Sequence, residues 1–371
     1  MLPLDDLTVL DFSTLLPGPL ASLFLAEAGA RVIRIERPGG EEMRRFPPRF
    51  GETSAPYAVL NRGKASIEID LKADDALARL TPLIASADIL IEQFRPGVME
   101  RLGFGHEALA RINPRLIYCS ISGYGQSGPR AGDAGHDINY QAVSGLLGQS
   151  LKSGEPPPLP PPLAADIAGG TLPALLNILL ALRQRERSGK GFHLDIAMVD
   201  AMPTFAWYGL AQGQASGRYP EGGEGLVTGA SPRYQLYATS DSWFLAVGAL
   251  EQKFWEIFCE TIGLEPALRD DRLDPQATHA AIAAIIAGQS AAQWREQLEP
   301  RDCCCTVVRT LEEALADPHL TARGLFDAQA EEPGGRRLVS TPLPLAPVFR
   351  DRLPGLKRVA ASGEDTQELL G

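Results

Sequence analysis

Short apolar runs alternate with amphipathic stretches from the start of the chain. In "LTVLDFSTLLPGPLASLFLAEAGARVIRIERPG", residues 9–12 read as an apolar strand and Pro17, Gly18 and Pro19 as a turn. Residues 20–27 then show helical periodicity, Gly29 stops the helix, and "ARVIRIE" is the next strand. Parallel strands joined in this way require a right-handed crossover. The alternation continues through "ASIEIDL" as strand, "DDALARLTPLIASA" as amphipathic helix, "DILIEQF" as strand, "GVMERL" as short helix and "RLIYCSISGYG" as strand. This pattern predicts an open α/β sheet with helices on both faces. No Gly-x-Gly-x-x-Gly follows the first strand, so the topology is Rossmann-like without the dinucleotide fingerprint, and a nicotinamide or flavin cofactor is not expected.

The run "EPPPLPPPLAAD" cannot be helical, because proline fixes φ and removes the amide donor. It reads as an extended, rigid arm that delivers Asp166 to a fixed place. "IAGGTLPALLNILLALRQRERSGKG" is then a long apolar helix with a basic last turn and a glycine stop, and "FHLDIAMVDAMPTFAWYGLAQ" a strand followed by a second apolar helix. Near Gly217 the character changes. A glycine-rich loop leads into two strands, "YQLYAT" and "WFLAVGA", joined by "SDS", and then into three helices. The expected organisation is a large Rossmann-like domain over residues 1–200, completed by the tail 325–371. A linker spans 201–224 and a small α+β domain 225–324.

Composition narrows the function. The 371 residues carry a net charge of −11, which argues against nucleic-acid binding. Arg34, Arg37, Arg44, Arg45, Arg62 and Lys64 nevertheless form a local basic cluster that could receive an anion. No apolar stretch is long enough for a membrane span, the first residues do not read as a secretory signal, and the expected location is cytoplasmic. Of the five cysteines, three are consecutive at Cys303, Cys304 and Cys305. That spacing does not suit a metal, and the residues read as reduced, packed thiols.

The candidate chemistry centres on "AGDAGHDINYQAVSGLL", where His136 precedes an apolar helix pattern. A histidine there can cap the helix, fill a core or carry a proton. Asp166 before "IAGG" can be a simple N-cap, and Glu251 can serve a helix dipole. In order along the chain, "IEQFRPGVMERLG", "RLIYCSISGYGQSGPR", "GHDINY", "SGKGFHLDIAMVDA" and "FLAVGALEQKFW" resemble the family III CoA-transferase superfamily, and most closely its α-methylacyl-CoA racemase branch.

The resemblance implies interlocked homodimers with an active site between the large domain of one subunit and the small domain of the other. It implies an acyl-CoA thioester substrate and no cofactor or metal beyond the substrate's own CoA. His136 and Asp166 match the two proton carriers, and Glu251 the residue that orients the histidine. Arg37, Lys64 and Arg95 match positions near the nucleotide, the backbone around Leu15 a pantetheine contact, and Tyr140 the thioester site. Two acid–base groups facing opposite sides of C2 are an economical means of 1,1-proton transfer through an enolate. The same resemblance admits CoA transfer between carboxylic acids with Asp166 as nucleophile. A non-catalytic CoA-thioester binder would need only the fold and the basic cluster. The cysteine trio and Val307, where the family often has proline, depart from the pattern.

Overall fold

The computed structural model describes residues 2–151, 158–340, 343–350 and 355–371. The chain divides into two compact units. The first comprises Met1–Ser144, Pro161–Pro203 and Pro318–Gly371, and the second Gly145–Pro160 and Thr204–Asp317. The stretch 201–224, expected as a linker, contains the helix Trp207–Ser216.

The first unit is built on a six-stranded sheet. Strands β1 (Thr8–Asp11), β2 (Arg31–Glu36), β3 (Ala65–Glu68), β4 (Ile89–Glu92), β5 (Ile117–Ser122) and β6 (Phe192–Ala197) pair in the order β3-β2-β1-β4-β5-β6, every pair parallel. Central strands of such a sheet are covered on both faces and need continuous apolar runs. β4 and β5 accordingly bury every residue. The strand order reverses between β1 and β4, and in open α/β sheets the crevice at that reversal, beyond the carboxyl ends, is where ligands bind.

Helix α1 (Pro17–Glu27) begins three residues before the expected start. The prolines that looked like a turn occupy the first helical positions, where their missing N–H would have no partner in any case. All of α1 is buried, and Gly29 with φ of 111° ends it. Helix α2 (Ala76–Ser86) turns Ala76, Leu80 and Ile84 inward, one helical face at four-residue spacing. The short helix α3 (Asp137–Val143) and the long helix α4 (Leu172–Ser188) complete the framework of the site. α4 is stopped by Gly189 in the left-handed conformation, as its sequence foretold.

Together with the turn before it, α4 forms one helix over Ala165–Ser188 that is long and apolar enough to cross a membrane by length and composition alone. It packs on β5 and β6, turning Ala174, Ile178, Ala181 and Arg185 inward. Arg185 pairs with Asp88 at 2.9 Å. Leu172, Leu176, Leu179 and Leu180 remain exposed on the other side of this helix. Of the proline run, residues 155–157 lie outside the described residues, and 158–163 are non-helical.

The C-terminal segment returns to the first unit. Strands Gln329–Glu331, Arg337–Val339 and Leu356–Arg358 form a small mixed sheet. The Asp365 carboxylate accepts the Ser66 N–H at 2.8 Å and Thr366 Oγ1 accepts the Glu68 N–H at 2.9 Å, fastening the tail to β3.

The second unit carries a three-stranded antiparallel sheet, Tyr234–Ala238, Phe244–Gly248 and Cys305–Val307, with the middle strand shared. Tyr237, Leu245 and Val247 point into a core with Trp255, Phe258 and Trp294, whereas Tyr234, Leu236 and Phe244 face outward. Cys303 and Cys305 belong to that core, and Cys304, at φ of 54°, is exposed.

Candidate active site

A cavity of about 390 Å³ opens beyond the carboxyl ends of β1, β4, β5 and β6, at the reversal of strand order. Each of these strand ends contributes to its wall. Leu15 and Pro17 follow β1, Gln93 and Arg95 follow β4, Gly123 follows β5 and Met198 follows β6. The loop before α3 adds Asp133, Gly135 and His136, α3 adds Tyr140, and the turn before α4 adds Asp166.

Leu15 stands at φ of 61°, a left-handed conformation that costs a non-glycine residue about 1–2 kcal/mol. Its N–H donates to Glu41 Oε1 at 2.6 Å. Glu41 is buried and pairs with Arg34, which also reaches Asp11 at 3.0 Å. A buried ionic group under the cavity floor therefore holds the strained residue in place.

His136 is exposed on the cavity side of α3 and occupies its N-cap position. The cap is closed from within the helix, since Asn139 Oδ1 accepts the His136 N–H at 3.0 Å. Tyr140 lies one turn on, with its hydroxyl donating to the Gly135 carbonyl at 2.6 Å and its ring edge-on to Tyr124. Burial, with Asp166 nearby, pushes the Tyr140 phenol up to about 12. A Cβ on Gly123 would stand 2.5 Å from the Tyr140 ring, so only glycine admits the tyrosine at that strand end.

Asp166 sits in a π-helical turn, Ala165–Thr171, that leads into α4. π turns are wider than α turns and recur at functional sites. The turn is anchored by Thr171 Oγ1 donating to the Pro17 carbonyl at 2.8 Å. At Gly169 an added Cβ would come within 2.3 Å of the Met198 carbonyl oxygen. Burial raises the Asp166 carboxyl to about 6, with Asp137 adding to the rise and His136 opposing it. Asp137 is itself buried. Its carboxylate accepts the Ala165 N–H at 2.7 Å, the Asp166 N–H at 3.0 Å and Gln141 Nε2 at 2.5 Å.

Of the residues singled out from the sequence, the cavity gathers Leu15, Arg95, His136, Tyr140 and Asp166. Arg37 is exposed just past β2 and outside the cavity lining, its Nε donating to the Gly40 carbonyl at 3.2 Å. Lys64, expected near the nucleotide, is turned inward. Its ammonium is buried and donates to the Pro19 carbonyl, Ser22 Oγ and Asn61 Oδ1 at 2.7, 2.8 and 2.9 Å, with Asp11 at 3.5 Å. Burial pushes that ammonium down to about 7. Arg34 and Arg62 are buried with it, so the basic cluster is largely an internal ionic framework. Glu251 lies in the second unit, exposed at the N-cap of the helix Gln252–Ile262. Gln93, Gly123 and Met198 were not singled out from the sequence. The rule that ligands meet the carboxyl ends of strands at a topological switch would have found them once the strand order was known.

Strand order and cavity together define a recognisable architecture. Residues 4–366 match the family described as CoA-transferase family III. The chain belongs to that family. A CAIB/BAIF family protein from Brucella suis shares its fold, with a TM-score of 0.84 at 28% identity, covering 99% of this chain and 98% of that one. The α-methylacyl-CoA racemase of Homo sapiens is 38% identical over 379 residues, spanning 99% of this chain and 92% of that protein. The acetyl-CoA:oxalate CoA-transferase of Acetobacter aceti is 34% identical, spanning 87% of this chain and 85% of that protein. Both kinds of family III enzyme are thus similar to this one along most of its length.

Proposed function

We propose that this family III enzyme racemises 2-methylacyl-CoA thioesters by moving a proton from one face of C2 to the other. The observation that carries the reading is the placement of an imidazole, His136, and a half-buried carboxyl, Asp166, on one cavity wall system. One group takes the C2 proton, the electron pair of the broken C–H bond moves into the thioester carbonyl as an enolate, and the other group returns a proton to the opposite face. Proton transfer is most efficient between groups that titrate near the working pH, and a carboxyl at about 6 meets that need. The first amides of a helix have no acceptor within it, which makes the N-terminal turn of α3 a suitable donor to the enolate oxygen.

In this reading Glu251 orients the His136 ring, Arg37 and Arg95 meet the nucleotide phosphates, the Leu15 backbone meets the pantetheine and Tyr140 borders the thioester. The active unit is a homodimer. The exposed leucine stripe on α4 is the surface that a second copy covers, and the facing Glu251 comes from the small unit of a partner. The enzyme works as a soluble protein in the cytoplasm, with CoA entering only as part of the substrate.

The similarity to CoA-transferases supports a second reading, in which Asp166 attacks an acyl-CoA and becomes acylated while CoA leaves as the thiolate. Incubation with a 2-methylacyl-CoA in deuterated water separates the two. Deuterium at C2 together with loss of stereochemical purity is the expected outcome. CoA passing to an added free acid, with C2 unlabelled, would overturn the racemase reading. His136→Ala is expected to lower the exchange rate at least about a hundredfold, the scale of a lost general acid–base group.

A further inference from the structure

We propose that Asp137 is a positioning residue that ties His136 and Asp166 into one unit, its carboxylate holding the Asp166 backbone and setting the charge beside the Asp166 side chain. The inference rests on the racemase reading for its kinetic consequence but not for its structural one. Asp137 directly follows His136, so a rotation of α3 moves both. Its Oδ2 accepts the two N–H groups that open the π turn, at Ala165 and Asp166, 28 and 29 residues further along the chain. Its Oδ1 is occupied by Gln141 one turn down α3. The carboxylate is thus a bolt between the two segments that carry the acid–base pair.

The same bolt places a negative charge next to Asp166. Among the described residues, these titratable groups act on Asp166 or share its cavity wall. His136, Asp137 and Tyr140 come from α3 and its cap, Arg95 comes from the end of β4, and Asp133 comes from the loop before α3. The π turn itself, Ala165–Thr171, contains no other titratable side chain. Burial and Asp137 both favour the protonated Asp166 carboxyl, and His136 opposes them. Removing the Asp137 charge leaves burial against His136, and the Asp166 midpoint falls toward the ordinary aspartate value of about 3.9. A neutral acceptor at this position would hold the same N–H groups without adding to the rise of the Asp166 carboxyl, so an isosteric change separates the charge from the hydrogen bonds.

Asp137→Asn keeps an oxygen acceptor and removes the charge. Carbon-detected NMR of the labelled Asp166 side chain, in the substrate-free protein, is expected to show its midpoint lowered by about one pH unit. The acid limb of the kcat/KM profile for C2 exchange is expected to move down with it. An unchanged Asp166 midpoint in folded Asp137→Asn protein overturns the inference. Should that variant fail to fold, Asp137→Glu keeps the charge and displaces the oxygen. It is expected to lower kcat at least tenfold while retaining the acid limb, and an unaltered kcat overturns the positioning role. Because the NMR midpoint is read without substrate, it tests Asp137 even if the wild-type protein shows no C2 exchange, a result that would count against the racemase reading alone.

Discussion

Single residues decide how tightly the site is held. Gly169 is the clearest case, since a methyl group there would meet the Met198 carbonyl oxygen at 2.3 Å and backbone cannot yield as a side chain can. Overpacking of this kind costs roughly 1–3 kcal/mol. Gly169→Ala is therefore expected to lower the thermal midpoint by several degrees and to reduce C2 exchange by displacing the π turn that carries Asp166. Calorimetry together with the deuterium assay checks both, and an unchanged midpoint would sink the account of that contact. At this scale the sequence was only partly legible. His136 and Asp166, which line one cavity, were singled out by the family resemblance, since each taken alone reads as an ordinary helix cap. The burial of Arg34 and Lys64 could not be read, because an arginine spent inside an ionic framework and one offered to a phosphate look alike in a string of letters. The role of Asp137 needed the coordinates, since its partners lie 28 and 29 residues away.

Elements were read more reliably than residues, wherever periodicity dominated. The strands of the parallel sheet follow from continuous apolar runs, and α4 from its length, its basic last turn and its glycine stop. The start of α1 was misjudged because two prolines flanking a glycine signal a turn locally, whereas at a helix N-terminus proline is compatible with the first turn. The π turn has no periodic signature and was invisible. α4 also carries a testable surface. Leu176 and Leu180 are each 59% exposed and stand one turn apart. Exposed apolar stripes of this kind mark interaction surfaces. If the proposed homodimer is joined through this stripe, replacing both with glutamate yields monomer in analytical ultracentrifugation where the unaltered protein sediments as a dimer. A dimer that survives the change would place the interface elsewhere.

At the scale of the whole molecule, buried charge sets the response to acid. Burial by itself would raise the Glu36 carboxyl, but the hydrogen bonds and charge of Arg44, with Arg34 and Ser66, override it and hold the group at about 2. The unfolded chain takes up that proton near 4.5, so the folded state loses stability as pH falls from about 4.5 through about 2. Asp166 works in the opposite sense. The folded protein keeps its proton up to about 6 and the unfolded chain only to 3.8, so its contribution is lost as pH rises through that window. Glu36→Gln is expected to flatten the stability curve between pH 2 and 4.5, measured by denaturant unfolding at stepped pH. An unchanged slope there would show that Glu36 is not the group responsible.

The first unit is assembled from three separate stretches of chain, the last of them Pro318–Gly371. Its strand Leu356–Arg358 pairs with Gln329–Glu331, and Asp365 and Thr366 close over the edge strand near Ser66 and Glu68. During synthesis on the ribosome, the large sheet must therefore wait, with that edge uncovered, while the entire second unit emerges and has time to fold. The order of completion is set by the thread of the chain: the inserted unit closes first, and the unit that holds the parallel sheet is sealed last.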